Sequence, residues 1–171
     1  RLFFNTLIGS VNSAIKSSTG AYVSLFDTTS QTTGANTPKA ITFDTLDIAY
    51  GIYIGSPTSR IYFSTAGVFS VQYKNTTAAI EDLNIWLRID GVDVPGSNGL
   101  ISVTNKHAGA DGHGIVGWNF LLSFAAGQYL ELIWCPSVAA VTLAYLPAAA
   151  GPPTIPATYS AVFTASTVAL L

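Results

Sequence analysis

Hydrophobic and polar residues alternate along most of the chain after residue 20. Four runs show the alternation most clearly, with an apolar side chain at every second position. These positions are Phe69, Val71 and Tyr73; Leu83, Ile85, Leu87 and Ile89; Trp118, Phe120, Leu122 and Phe124; and Leu130, Leu132 and Trp134. A period of two over short runs predicts strands of antiparallel sheets that are buried on one face.

Turn residues separate these runs. Asp90-Gly91 predicts a tight hairpin, and the AAG tripeptide at 125–127 predicts a tight connection between its flanking strands. Further strands are expected near residues 21–26, 41–43, 47–54, 59–64, 141–146 and 157–165. Roughly eight to ten short strands, with no helical pattern after Gly20, predict an all-β fold. We expect an antiparallel two-sheet jelly-roll sandwich over residues 21–171.

Residues 1–20 carry a different pattern. Phe4, Ile8, Val11 and Ile15 are spaced to form one stripe along a helix, and Gly20 is a residue type that ends helices. Ile and Val at such positions suit small helical bundles. We expect an N-terminal anchor or oligomerisation segment; the alternative is an amphipathic or extended segment lying on its own domain.

The chain has few charges for its length. Charged residues make up 9% of the sequence, against about 25% in ordinary globular proteins, and 49% of residues are hydrophobic. Trp86, Leu121 and Ile133 also fall on the strand faces expected to point outward. Burial of this surface between subunits accounts for both observations, so we expect an obligate oligomer in which these three residues pack against neighbouring subunits of a homotrimer.

Several classes of function are disfavoured by composition. The net charge is −2 with scattered Lys and Arg, so no basic patch indicates a nucleic acid partner. No apolar run approaches the roughly 20 residues that span a bilayer, so no membrane partner is expected. The single cysteine, Cys135, excludes an intrachain disulfide and is expected to be a buried, unreactive thiol.

The stretch TNKHAGADGHG, residues 104–114, holds both histidines of the chain. His107, Asp111 and His113 are residue types that bind zinc, but the glycines among them prevent the loop from positioning ligands without support. We expect a connection between strands, with no metal and no cofactor. The alternative is an ion site where three copies of one histidine meet on a trimer axis.

Catalysis is not expected. No GxSxG nucleophile motif is present, and most carboxylates fall in turns, where Asp side chains bond the backbone. The polar loops at 28–39 and 95–114 could bind a glycan, but neither contains an aromatic residue of the kind that anchors such binding.

Several motifs resemble known families. TAGVFSVQYK (65–74), WLRIDGVDV (86–94) and a hairpin in LLSFAAGQYLELIW (121–134) resemble the globular heads of complement-type and tumour-necrosis-factor-like jelly rolls. SLFDTTSQTTGANTPKAITFDT (24–45), followed by SRIYFSTAGVFSVQY (59–73), resembles jelly-roll domains of tailed-bacteriophage fibre and decoration proteins. The resemblance covers about residues 22 to 165.

The phage resemblance implies a homotrimer without catalytic residues, located on the virion surface. The expected function is a structural protein that decorates or cements the capsid or forms a fibre, with the major capsid protein or a fibre base as partner. One alternative is the receptor-binding head of a tail fibre or spike, whose partner is a host surface receptor. A secreted ligand of tumour-necrosis-factor type fits the fold but has no supporting signal segment or disulfide in this sequence.

Overall fold

The computed structural model describes residues 20–78, 81–104 and 112–171, and these residues form strands and no helix. None of the described residues belongs to a helix with the length and hydropathy needed to cross a membrane. The strands are β1 (Tyr22–Asp27), β2 (Lys39–Ala40), β3 (Thr45–Tyr50), β4 (Ile52–Ile54), β5 (Ile61–Phe63), β6 (Gly67–Ala78), β7 (Glu81–Ile89), β8 (Val92–Asp93), β9 (Gly99–Val103), β10 (His113–Phe124), β11 (Tyr129–Pro136), β12 (Thr142–Leu143) and β13 (Ala161–Leu170).

The strands form two antiparallel sheets. The six-stranded sheet has the order β10-β6-β13-β1-β3, with β12 pairing the end of β6. The seven-stranded sheet has the order β4-β5-β11-β7-β8, with β2 pairing β11 and β9 pairing β7. The predicted all-β, two-sheet architecture is therefore confirmed.

The core lies between the two sheets and is built from the alternating positions. Phe69 and Phe124 of the six-stranded sheet contact Phe63 of the seven-stranded sheet, with the Phe63 and Phe124 ring centroids 3.8 Å apart. All fourteen core positions predicted from the four runs are buried or packed against the buried cluster, as the alternation requires.

Two predicted strands were wrong in extent. The run at 47–54 is divided at Gly51, whose φ of 69° is accessible to glycine at little cost, so β3 and β4 lie in different sheets. In the run at 41–43, the amide of Ile41 donates to Leu132 and that of Phe43 donates to Thr58. Because these bonds go to different elements, they form no continuous strand pair.

The two predicted turns have different outcomes. Asp90 and Gly91 have φ of 49° and 81° and join β7 to β8 in the predicted hairpin. The connection at 125–127 is tight, but it carries the chain from β10 in one sheet to β11 in the other. The hairpin expected there from the resemblance was wrong, because β10 pairs with β6 and β11 pairs with β7.

The six-stranded sheet has two distinct ends. Ala21 and Thr167 are hydrogen-bonded neighbours, so Gly20 and the end of β13 lie together at what we call the terminus end. At the opposite or distal end, Asp27 pairs with Ala161, and the connections at 28–38 and 144–160 adjoin the sheet. Residues 147–156 of the last connection are all exposed.

The connection at 144–160 contains a hairpin, which we call the distal arm (residues 146–158). Its backbone bonds join Leu146 to Thr158 at 2.9 and 2.8 Å, and Ala149 to Ile155 at 3.0 and 3.1 Å. The arm therefore projects from the domain as a closed two-stranded structure.

Candidate assembly surface

The two sheets differ in the number of large apolar side chains that they expose. The described residues of the six-stranded sheet expose many large apolar side chains, whereas those of the seven-stranded sheet expose few. On the six-stranded sheet they are Tyr22, Leu46, Ile48, Tyr50, Ile115, Leu121, Val168 and Leu170; on the seven-stranded sheet they are Tyr53, Val92 and Leu100. Exposed apolar patches of this kind mark interaction sites.

One group of these residues lies on the edge strand β10, which pairs within its sheet only with β6. The core-facing positions of β10 alternate with outward ones, so Ile115 and Leu121 point away from the core and are 67% and 66% exposed. The predicted outward position of Leu121 is confirmed. Ile115 and Leu121 lie about 20 Å apart along the strand, with Gly117 and Asn119 at the outward positions between them, and we call the pair the β10 edge patch.

A second group lies on the opposite edge. Strand β3 pairs within its sheet only with β1, and its Leu46 and Ile48 are exposed. We call these two residues the β3 edge patch. Four strand spacings separate the two edges, a distance of about 19 Å. The strands between them carry the polar residues Ser70, Gln72 and Thr164 together with the half-buried Val68 and Val162, so the surface between the two edges is mixed.

A third group lies at the terminus end. Tyr22 and Tyr50 pair across β1 and β3, with ring centroids 6.2 Å apart. Val168 and Leu170 are exposed at the end of β13, beyond Thr167, where Val168 lies at a shift in register and Leu170 pairs with Gly67. We call Tyr22, Tyr50, Val168 and Leu170 the terminal patch.

Trp86 is engaged within its own chain. Its side chain is half-buried, and the indole Nε1–H donates to Asp93 Oδ1 at 2.8 Å. Arg88 Nε donates to the same oxygen at 2.7 Å. The hydrogen bonds from Arg88 and Trp86 lower the pKa of Asp93 below its ordinary value. This side of the seven-stranded sheet is therefore held together by polar bonds.

The expectation that Ile133 would be exposed was wrong, because its side chain is 1% exposed. β11 is an interior strand, and Ile133 lies between Ala40 of β2 and Trp86 of β7. The short strand β2 was not predicted, so the pairing that places Ala40 beside Ile133 was not expected from the sequence. Ile133 is buried in its own chain and is unavailable to a neighbouring subunit.

An aromatic and charged cluster lies on the other half of the seven-stranded sheet. Tyr53 and Tyr62 stack with centroids 5.3 Å apart, and Tyr62 contacts Tyr129 at 5.4 Å. The Arg60 guanidinium lies 4.6 Å from the Tyr129 centroid, and Arg60 Nε is 3.6 Å from Glu131 Oε1. The sequence analysis missed this cluster. Its members come from three strands, and such cross-strand contacts stabilise a sheet.

Three aspartates accept hydrogen bonds from backbone amides. Asp27 accepts from the amide of Thr29, Asp44 from that of Thr28, and Asp90 from that of Tyr129. Burial opposes ionisation of Asp44, but hydrogen bonds from Thr28 and Thr45 outweigh it and lower the pKa of the carboxyl group. Asp27 therefore closes a local turn, as predicted, whereas Asp44 and Asp90 join segments that are distant in sequence.

The histidine stretch is described only in part. His113 is exposed at the first position of β10, whereas His107 and Asp111 lie outside the described residues, as do Phe4, Ile8, Val11 and Ile15. Within residues 20–78, 81–104 and 112–171, no group of three His, Cys, Asp or Glu side chains is placed to hold a metal ion. The expected absence of a metal at this stretch, and the alternative of an ion site on a trimer axis, both stay untested.

Cys135 is half-buried rather than fully buried. Desolvation raises the pKa of its thiol above the ordinary value. Because the thiolate is the reactive form of cysteine, this shift favours the expected unreactive state.

Comparison with solved structures relates this geometry to a known fold. The "Globular Domain of Zebrafish Complement 1qA protein" aligns with a TM-score of 0.51 at 14% sequence identity, covering 88% of this chain and 98% of that one. The fold is a complement-1q-like jelly roll. No family model matches the chain, and no curated protein matches it by sequence. The similarity supports the tumour-necrosis-factor-like jelly roll expected from the sequence and shows the fold alone.

Proposed function

We propose that this chain is a structural protein of a bacteriophage particle, a homotrimeric jelly roll that decorates or cements the capsid or forms a fibre on it. The observation that carries the proposal is the pair of apolar patches on opposite edges of one sheet. The low charge content and the phage motifs at 24–45 and 59–73 support it further.

The placement of the two patches favours a ring. A twofold contact joins a patch to itself, whereas the β10 and β3 edge patches lie on opposite edges of the same sheet. The β10 edge patch of one subunit can contact the β3 edge patch of the next, and such head-to-tail contacts close into a ring when the rotation between subunits permits. Three subunits is the number implied by the resemblance.

The two ends of the domain suit attachment to a particle. Gly20 lies at the terminus end, so residues 1–20 connect to the domain there and can join the trimer to the major capsid protein or to a fibre base. The distal end would then face away from the particle. The mechanism is mechanical, because burial of the edge patches and attachment at the terminus end hold the particle together.

Measurement of the mass in solution tests the assembly. Leu121→Glu places a charge in the β10 edge patch and should convert trimers at micromolar concentration into monomers, as seen by sedimentation velocity. Leu100→Glu is the matched control, because Leu100 is 59% exposed on the other sheet, and it should leave the mass unchanged. A wild-type chain that stays monomeric at micromolar concentration would contradict the proposal.

Binding to particles tests the attachment. Purified protein should bind particles that lack it, and deletion of residues 1–15 should abolish this binding while the trimer persists. The copy number per particle then separates the two locations, since hundreds of copies indicate the capsid surface and a few dozen at most indicate a fibre.

The alternative function, a receptor-binding head, is favoured by one observation. The connection at 28–38 and the distal arm leave the sheet at the same end, opposite Gly20, where they are free to contact a host surface. Replacement of the exposed residues 34–37 by Gly-Ser, or of 148–156 by Asn-Gly, should abolish adsorption to host cells if this function holds. Unchanged adsorption in both variants would exclude it.

A further inference from the structure

The terminal patch is separate from the two edge patches and lies beside the point where the chain enters the domain. Thr167 N donates to Ala21 O at 2.9 Å, and Ala21 N donates to Thr167 Oγ1 at 2.8 Å. A Cβ at Gly20 would lie 3.1 Å from Thr167 Cβ. The N-terminal segment therefore joins the domain at Gly20, next to Thr167 and Val168.

The patch is apolar and has a defined width. Its outermost members, Tyr50 on β3 and Val168 on β13, are separated by two strand spacings, about 10 Å. This width equals the diameter of one α-helix with its side chains, also about 10 Å. One amphipathic segment is enough to cover it.

Residues 1–19 supply an apolar stripe of matching size. Phe4, Ile8, Val11 and Ile15 are four apolar side chains on one predicted helical face. Nineteen residues reach about 28 Å as a helix and further if extended, so the stripe can lie over the patch in either form. The short link through Gly20 keeps it at high effective concentration beside the patch.

We infer that the stripe formed by Phe4, Ile8, Val11 and Ile15 binds the terminal patch of its own chain. The contact buries Tyr22, Tyr50, Val168 and Leu170, which the domain leaves exposed. The segment then lies across the terminus end, the end that the proposed function turns toward the particle. The inference itself requires neither the trimer nor the particle.

Hydrogen exchange of the full chain tests this contact. Amides in peptides covering residues 4–15 should be protected, and the double variant Val168→Ser/Leu170→Ser should make them exchange at least tenfold faster. The control is Val92→Ser/Leu100→Ser on the other sheet, where Leu100 is as exposed as Val168, each at 59%. Unchanged exchange of β6 in both variants shows that the domain stays folded.

Three results would overturn the inference. One is exchange of residues 4–15 at the rate of an unstructured chain, and another is protection that survives Val168→Ser/Leu170→Ser. The third is protection that disappears when a trimer is diluted into monomers, because the stripe would then bind a neighbouring copy. A monomeric protein whose protection depends on the terminal patch would refute the proposed assembly and support this inference.

A second variant tests the contact from the segment's side. Ile8→Asp/Val11→Asp should release the stripe and raise the fluorescence of a hydrophobic dye at least twofold as the terminal patch is exposed. The same change combined with Val168→Ser/Leu170→Ser should bring the fluorescence back toward the wild-type level. A dye signal unaffected by Ile8→Asp/Val11→Asp would contradict the inference.

Discussion

Gly99 and Trp118 are in contact across the gap between the two sheets. Gly99 begins β9 of the seven-stranded sheet, and Trp118 lies on β10 of the six-stranded sheet. A Cβ at position 99 would stand 2.2 Å from Cζ2 of the Trp118 ring. The indole therefore closes this side of the sandwich only because residue 99 has no side chain.

We expect Gly99→Ala to lower the free energy of unfolding by about 1–3 kcal/mol, the usual cost of adding a methyl group where there is no space. Urea denaturation followed by tryptophan fluorescence measures it. Gly151→Ala is the matched control, because a Cβ there meets no atom within 4 Å. Equal stability of the two variants would show that Trp118 moves aside freely.

The Phe63–Phe124 stack should contribute strongly to stability. Phe124 is 1% exposed and its ring lies against both Phe63 and Phe69. We expect Phe124→Ala to lower the free energy of unfolding by about 3–5 kcal/mol through the cavity that it leaves. Ser123→Ala, at the adjacent outward position of β10, should change it by less than about 0.5 kcal/mol. Comparable losses in both variants would contradict the described orientation of β10.

The bonds to Asp93 should make stability depend on pH. Hydrogen bonds from Arg88 and Trp86 lower the pKa of Asp93 in the folded chain below its unfolded value of about 3.9. The stabilisation is therefore fully present above pH 4 and is lost as the pH falls through the folded pKa. We expect the Tm difference between wild type and Asp93→Asn to be largest above pH 5 and to shrink below pH 4.

A double-mutant cycle identifies the partner of Asp93. Because Arg88 Nε donates to Asp93 Oδ1, Arg88→Ala and Asp93→Asn should not be additive. Additive effects at pH 7 would exclude a direct interaction as the cause of the pH dependence.

The histidine stretch should not require a metal for stability. We expect excess EDTA to leave the Tm unchanged at pH 7, because the glycines of residues 104–114 leave the side chains without rigid support. A fall of several degrees that His107→Asn or His113→Asn reproduces would instead establish an ion site there.

The positions that face the core in the four alternating runs could be predicted from the sequence, because alternation is a local signal. Leu87 and Leu132 are buried, and Leu121 is exposed, where the period of two places them. Sheet membership depends on pairing between distant residues, which the local pattern does not contain. For this reason the local pattern did not predict that the chain passes from one sheet to the other at residues 125–127.

Ile133 illustrates a second limit of sequence reasoning. Its position in the alternation is outward, yet it is buried between Ala40 and Trp86, both of which lie far away in sequence. The cluster of Tyr53, Tyr62 and Tyr129 has the same origin, since three separate strands bring the rings together. The sequence around each tyrosine does not indicate that the other two lie beside it.

The separation of the two ends makes this domain suitable for presenting foreign peptides. Residues 148–156 are exposed, and the backbone bonds between Leu146 and Thr158 close the base of the distal arm. Loop tips of this kind tolerate insertions well. A peptide inserted there would be displayed on the side away from Gly20, so a carrier protein fused at that terminus would not obstruct an antibody directed at the insert.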